Sequence, residues 1–230
     1  MKRGAPSAPN PYPPFGSRVF IELVDHLRCV RPHEESWLVV STKRMDGRDI
    51  MEGVLGCPVC HAEYRIERGI ALFAERQPMI SRALPPDESE AMRLAAFLDL
   101  ADPRGYAILA GVVASHARVI QRRTDVHLLL VDPPNGVDVG AGLSGLTADH
   151  ALPLAAGSAR AAALDASAAS TLLGSAIDAV RAGGRVVAPI SVPVPPGVTE
   201  LVRDDRIWVA ERHPSVVQSR PVMIRRSTSD

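Results

Sequence analysis

Aromatic side chains are scarce, at 4% of 230 residues, so there are few of the ring surfaces on which unpaired bases stack. A net charge is lacking as well. Lys plus Arg and Asp plus Glu each total 26, which leaves no long-range field to recruit a polyanion, and electrostatically driven nucleic-acid binding is not expected. No apolar run approaches the ~18 residues that would suggest a membrane span. The longest lies around Tyr106 to Ala114, so no membrane partner is expected. Cysteine is limited to Cys29, Cys57 and Cys60. An odd number, with two of them close together, is unlike a secreted disulfide framework and points to metal binding in a reducing, cytoplasmic compartment.

What is present is globular in composition, 46% hydrophobic and 23% charged. The length falls between one domain and two at ~150 residues each. Residues 1–17 carry five prolines and no apolar core of the signal-peptide kind, and read as a disordered tail. From Arg18 the pattern RVFIELVDHLRC has helical spacing. Strand-like stretches follow at Ser36 to Thr42, at MEGVLGC, and as one strand over EYRIERGIALF. This makes a small first module over 18–74. The proline-bearing stretch 75–86 is a connector, and a second domain occupies 87–230.

In that second part, DESEAMRLAAFLDLA crowds acidic residues into a first helical turn, as the helix dipole favours. Strand-like YAILAG, helix-like SHARVIQRR and strand-like VHLLLVD then alternate, followed by strand-like ARAAALDA, a helix expected to end on Gly183 and Gly184, and strand-like RVVAPI. Alternation of this kind builds a mostly parallel, Rossmann-like α/β sheet, and apolar strands imply burial on both faces. RIWVAER and SRPVMIRR, residues 206–212 and 219–226, are expected to close the sheet as a C-terminal β-hairpin.

Cys57-Pro58-Val59-Cys60 is a knuckle whose two thiolates can reach one tetrahedral ion, with Cys29 as a third soft ligand. His33, four residues beyond Cys29 in the spacing Cys29-x3-His33, is the preferred fourth ligand and His26 the reserve. Zn2+ held by Cys29, His33, Cys57 and Cys60 would have no open position for water, so its role would be structural.

The phrases LVDHLRC and GVLGCPVCHAEYRIERGIALF resemble the zinc-ribbon activator subunits of tRNA and protein methyltransferases, over residues 18 to 74. That family reads Cys-Pro-x-Cys in both halves. Here the first half is Cys29-Val30-Arg31-Pro32-His33, and Tyr64-Arg65-Ile66 stands where the family has Tyr-Pro-Ile. The resemblance implies a protein partner engaged through the zinc ribbon.

From Asp87 onward the chain resembles a class I S-adenosylmethionine-dependent methyltransferase, a domain that a zinc ribbon often precedes in bacterial chains. The resemblance implies S-adenosylmethionine as cofactor. It places Gly111 on the first glycine of the cofactor turn, Val113 on the second and Ser115 on the third, with Leu109 where an acidic residue is expected. Asp132, 21 positions after Gly111, would accept from ribose hydroxyls, and Asp149 is the nearest acidic residue for adenine. RAGGRVVAPI matches the phrase that opens the fifth strand. His116 could flank the site and His150 sits beside Asp149, either able to accept a proton, but lone histidines are more often structural and no catalytic residue is assigned. Two readings result. One is a non-catalytic scaffold with a degraded glycine turn, and the other is an active methyltransferase of unknown acceptor.

Overall fold

The computed structural model describes residues 19–75, 82–85, 87–137 and 142–214. The expected tail over 1–17 and the strand expected over 219–226 lie outside the described residues. In chain order the strands are β1 (Val19–Phe20), β2 (Val39–Asp46), β3 (Asp49–Gly56), β4 (Glu63–Glu67), β5 (Ile70–Leu72), β6 (Tyr106–Ala110), β7 (His127–Val131), β8 (Leu143–Thr147), β9 (Ala159–Leu164), β10 (Val180–Pro189), β11 (Val198–Arg203) and β12 (Ile207–Arg212). The α-helices are α1 (Glu88–Phe97), α2 (Ala117–Gln121) and α3 (Ala166–Ala179).

All the strands belong to one sheet, ordered β1-β3-β4-β5-β8-β7-β6-β9-β10-β12-β11, with β2 on the outer side of β3. From β5 to β10 every pairing is parallel, and the hairpin β11–β12 runs antiparallel at the end. This is a mixed α/β, Rossmann-like sheet. The terminal hairpin exists, but its partner strand is β11, which comes before RIWVAER in sequence.

Alternation along the strands divides the core. In β6, Tyr106, Ile108 and Ala110 join one cluster and Ala107 and Leu109 the other. Helices α1 and α2 supply Ala91, Leu94, Ala117 and Ile120 to the second cluster. Helix α3 supplies Leu172, Leu173 and Ala176 to the first, where Leu23, Val24, Leu27, Ile50, Leu55 and Ile66 also pack. The amino-terminal module and the parallel sheet therefore share one core. Their contacts are specific: Ile70–Leu72 pairs with Gly145–Thr147, Leu27 bridges to Leu154, and the Phe20 amide donates to Ser144 Oγ at 3.0 Å.

Three local expectations are corrected. The amphipathic helix after Arg18 is a 3-10 helix over Ile21–His26 without a side-chain cap, held short because the chain is already pinned at Ile21 to the Arg48 carbonyl and at Leu27 to Leu154. The strand over EYRIERGIALF is two strands, β4 and β5, because Arg68 and Gly69 both take positive φ (53° and 71°), the geometry of a two-residue hairpin turn. Gly183 and Gly184 do not cap α3. The helix ends at Ala179, and both glycines lie inside β10, where its pairing with β9 shifts register between Val180 and Arg185. A Cβ at Gly184 would run into the Arg160 carbonyl and the Val180 side chain.

Candidate metal centre and switch-point crevice

The knuckle over Cys57 to Cys60 follows β3, and the Cys57 and His61 amides close it through the Ala62 and Cys57 carbonyls. His61 takes a positive φ of 57° there and is not among the converging donors. The second half of the site is the loop after the 3-10 helix, anchored by Arg28 N to Pro153 O, Ala155 N to His26 O and Cys29 N to Ser36 O. These supports bring Sγ of Cys29, Cys57 and Cys60 and a ring nitrogen of His33 all within 4.8 Å of one another. Cys57 Sγ lies 3.4 Å from His33 Nε2 and Cys29 Sγ lies 3.7 Å from Cys60 Sγ.

Three soft sulfurs and an imidazole at this spacing could hold a metal ion. Burial alone would raise the Cys57 thiol, but the Cys60 and Val59 amides and the adjacent thiols bring it down to about 6, so a thiolate is available at neutral pH. Around the donors, Tyr64 hydroxyl lies 3.2 Å from Cys29 Sγ, and its ring packs on Phe73 at 4.6 Å. His26 is elsewhere, with its ring against Tyr106 at 5.7 Å.

The second candidate site is where the strand order reverses. Strands β7 and β8 lie on one side of β6 and β9 lies on the other, so the loops leaving β6 and β9 diverge at their carboxyl ends and open the crevice in which α/β sheets take ligands. Gly111 leaves β6 with φ +71°, and a Cβ there would collide with the Asp165 carboxylate. Asp165 caps α3 by accepting from Ala168 N at 2.7 Å, and its other oxygen accepts from Val112 N at 2.7 Å. The crevice is thus bridged by the chain's own carboxylate, which takes the first free amide of the glycine turn.

Residues Gly111–His116 then form a 3-10 helix. Val113 stands at the second glycine position of the turn, where a β-branched side chain would resist a positive φ. Its backbone is not left-handed, and its side chain packs against the α1 cluster instead. It lines a cavity of about 90 Å3 with His116, Arg93, Phe97, Leu164 and Ile207. His116 is buried there with no partner for Nδ1, and burial lowers its pKa, so it is a neutral ring with an unsatisfied nitrogen.

Asp132 stands at the end of β7 with φ +47°, its Oδ1 accepting from Ala148 N at 3.3 Å. Burial raises it to about 7, against the Ala148 hydrogen bond and helped by the charges of Asp149 and Asp165. Asp149 accepts from Glu75 N at 2.7 Å, fastening the chain after β5 to the loop after β8. His150 beside it is exposed. Gly111, Asp132 and Asp149 therefore lie along one edge of the sheet, at the carboxyl ends of three neighbouring strands. Asp165 is the residue that sequence reasoning missed. Its signal was an Asp directly after an apolar strand and before Ala-Ser-Ala-Ala, a helix N-cap.

No family model matches the sequence, and no curated protein matches it. Among solved structures, a geranyl diphosphate C-methyltransferase from Streptomyces coelicolor A3(2) is similar at 17% identity over 44% of this chain and 42% of that one, with a TM-score of 0.34. The chain thus spans less than half the length of that protein. The antibiotic-resistance methyltransferase Kmr is 20% identical over 58% of this chain and all of its own (TM-score 0.34). A putative methyltransferase, yhhF from Escherichia coli, is 12% identical over 59% and 91% (TM-score 0.36). At such values the fold assignment stands on strand order and direction. By those, the protein is a Rossmann-like α/β fold carrying a Cys3His cluster.

Proposed function

We propose that this chain is a zinc-stabilised, methyltransferase-like protein that acts as a scaffold rather than a catalyst. The carrying observation is the Asp165 carboxylate on the Val112 amide. A cofactor that needs the backbone of this turn must displace a charge-assisted hydrogen bond and then sit against three carboxylates, Asp132, Asp149 and Asp165. The Cys3His donor set suits Zn2+ with all four positions filled by protein, a holding role. The module over 18–74 would then be the partner-binding part, through the outer edge of β2 and the exposed Trp37 and Val39 beside it.

An active S-adenosylmethionine-dependent methyltransferase is the second reading. It is favoured by Asp132 and Asp149 standing on the same sheet edge as Gly111, where the cofactor's ribose and adenine would be met. In such an enzyme the cofactor supplies the methyl group, and these residues would orient it. Calorimetric titration of the zinc-loaded protein with S-adenosylmethionine and with S-adenosylhomocysteine separates the two. No heat at high ligand concentration is the result expected for the scaffold. Saturable micromolar binding would refute it and restore the enzyme.

A further inference from the structure

The three sulfurs of the cluster are not equivalent. Cys57 is buried, 3% exposed, with His33 Nε2 beside it. Cys29 is half-buried, and toward its thiolate the Tyr64 hydroxyl at 3.2 Å can only donate, drawing charge from the sulfur. Cys60 is exposed at the tip of the knuckle, next to exposed Pro58 and Val59. All three sulfurs are thiolates while they hold the ion, so attack by a small oxidant is decided by access, and of the three Cys60 is the exposed one, with no hydroxyl donor on its sulfur. Its neighbour Cys29 Sγ is 3.7 Å away, and a disulfide requires the two sulfurs to close to ~2.05 Å.

We propose that Cys60 is a peroxide-reactive thiolate and Cys29 its resolving partner, so that oxidation exchanges the metal for a Cys29–Cys60 disulfide. This rests on the zinc reading above. Cys60 Sγ attacks one oxygen of hydrogen peroxide, an S–O bond forms as the O–O bond breaks, and the departing hydroxide takes a proton to become water. Cys29 Sγ then attacks the Cys60 sulfur, the S–S bond forms, the S–O bond breaks, and a second water leaves after protonation from solvent. Two thiolates have lost two electrons to the peroxide. Cys57 and His33 alone cannot retain the ion, which departs. The disulfide ties together the same two chain segments that the ion tied, so the docking of Leu27 and Arg28 on Pro153 and Leu154 has a covalent anchor in place of a coordinate one.

The test uses the full chain with its zinc content measured first, then hydrogen peroxide, with released zinc read by a chromogenic chelator and products by peptide mass mapping. The expected result is one zinc freed per peroxide consumed, loss of the mass of two hydrogens, a Cys29–Cys60 crosslinked peptide, and Cys57 still open to alkylation. A Cys57–Cys60 crosslink, a Cys60 sulfinic acid without crosslink, or retained zinc would overturn the proposal. A chain that holds no zinc at the outset fails the metal reading instead, and a Cys29–Cys60 crosslink in it would still support the pair. Tyr64→Phe keeps the ring on Phe73 while removing the hydroxyl. It should load zinc as the parent does and release it several-fold faster, and an unchanged rate would overturn the shielding of Cys29.

Discussion

His127 and Asp132, at opposite ends of β7, have opposed linkages to pH. His127 is stacked on Phe20 with ring centroids 5.0 Å apart, and its Nε2 faces Ser144 Oγ at 2.8 Å. Ser144 already accepts from the Phe20 amide, so its own proton goes to a neutral imidazole. Burial, against the charge of Asp49, depresses the ring to about 4. A histidine with a depressed folded pKa contributes stability that is complete above its unfolded value near 6.5 and is lost as pH falls through about 4. Asp132, raised to about 7, behaves in the reverse sense: its contribution is complete below its unfolded value near 3.8 and is lost as pH rises through about 7. Between about pH 4 and 6.5 the two offset each other. Asp132→Asn should therefore stabilise the protein at pH 8 by about 2–4 kcal/mol and expose a fall in stability below pH 6.5, and His127→Phe should give a stability that rises toward acid. Urea denaturation across pH 4 to 8 checks both, and parallel profiles for parent and variants would refute the assignments.

At the level of elements, the ends of strands and helices carry the consequences. Gly111→Ala must place a methyl group in a left-handed position against the Asp165 carboxylate. The cost should be about 2 kcal/mol or more, seen as a lower urea midpoint with unchanged slope. Arg160, buried in β9, donates to the Asp99 and Asp102 carbonyls and pairs with the Asp102 carboxylate, clamping the turn between α1 and β6. Arg160→Met leaves those carbonyls without a donor and should cost about 3 kcal/mol, with hydrogen exchange quickening over 98–105 before it does in α3. α1 and α3 are legible in sequence because each has an apolar stripe at helical spacing. β8 and β11 are not, because LSGLT and VTELVR are short and gain their strand character from neighbours on the sheet.

In the whole molecule, the metal module is a layer of the sheet's cover. β5 pairs in parallel with β8, and Leu23, Val24 and Leu27 pack in the cluster that holds Leu129, Val131 and Leu146. Loss of an ion held by the Cys3His cluster would therefore reach the parallel sheet. Chelation, or Cys57→Ser, should lower a single cooperative thermal transition by about 10 °C for about 3–4 kcal/mol lost. Two separated transitions in calorimetry would show instead that the module melts alone.

Residue type and spacing by themselves determined the alternation of strands and helices, and with it the Rossmann-like class. They also selected the knuckle at Cys57 and Cys60, because a turn that presents two thiolates to one ion is a local property of four residues. Whether His33 or His26 joins it depends on where the loop after Leu27 is anchored, and that is decided by hydrogen bonds to residues 153–155, more than a hundred positions away. The state of the glycine turn was half legible: Val113 announced a change, but the carboxylate that takes the turn's amide comes from the cap of α3, just after β9. Only the tertiary structure could place Asp165 against Gly111, because strands far apart in sequence become neighbours through the reversal of strand order at β6.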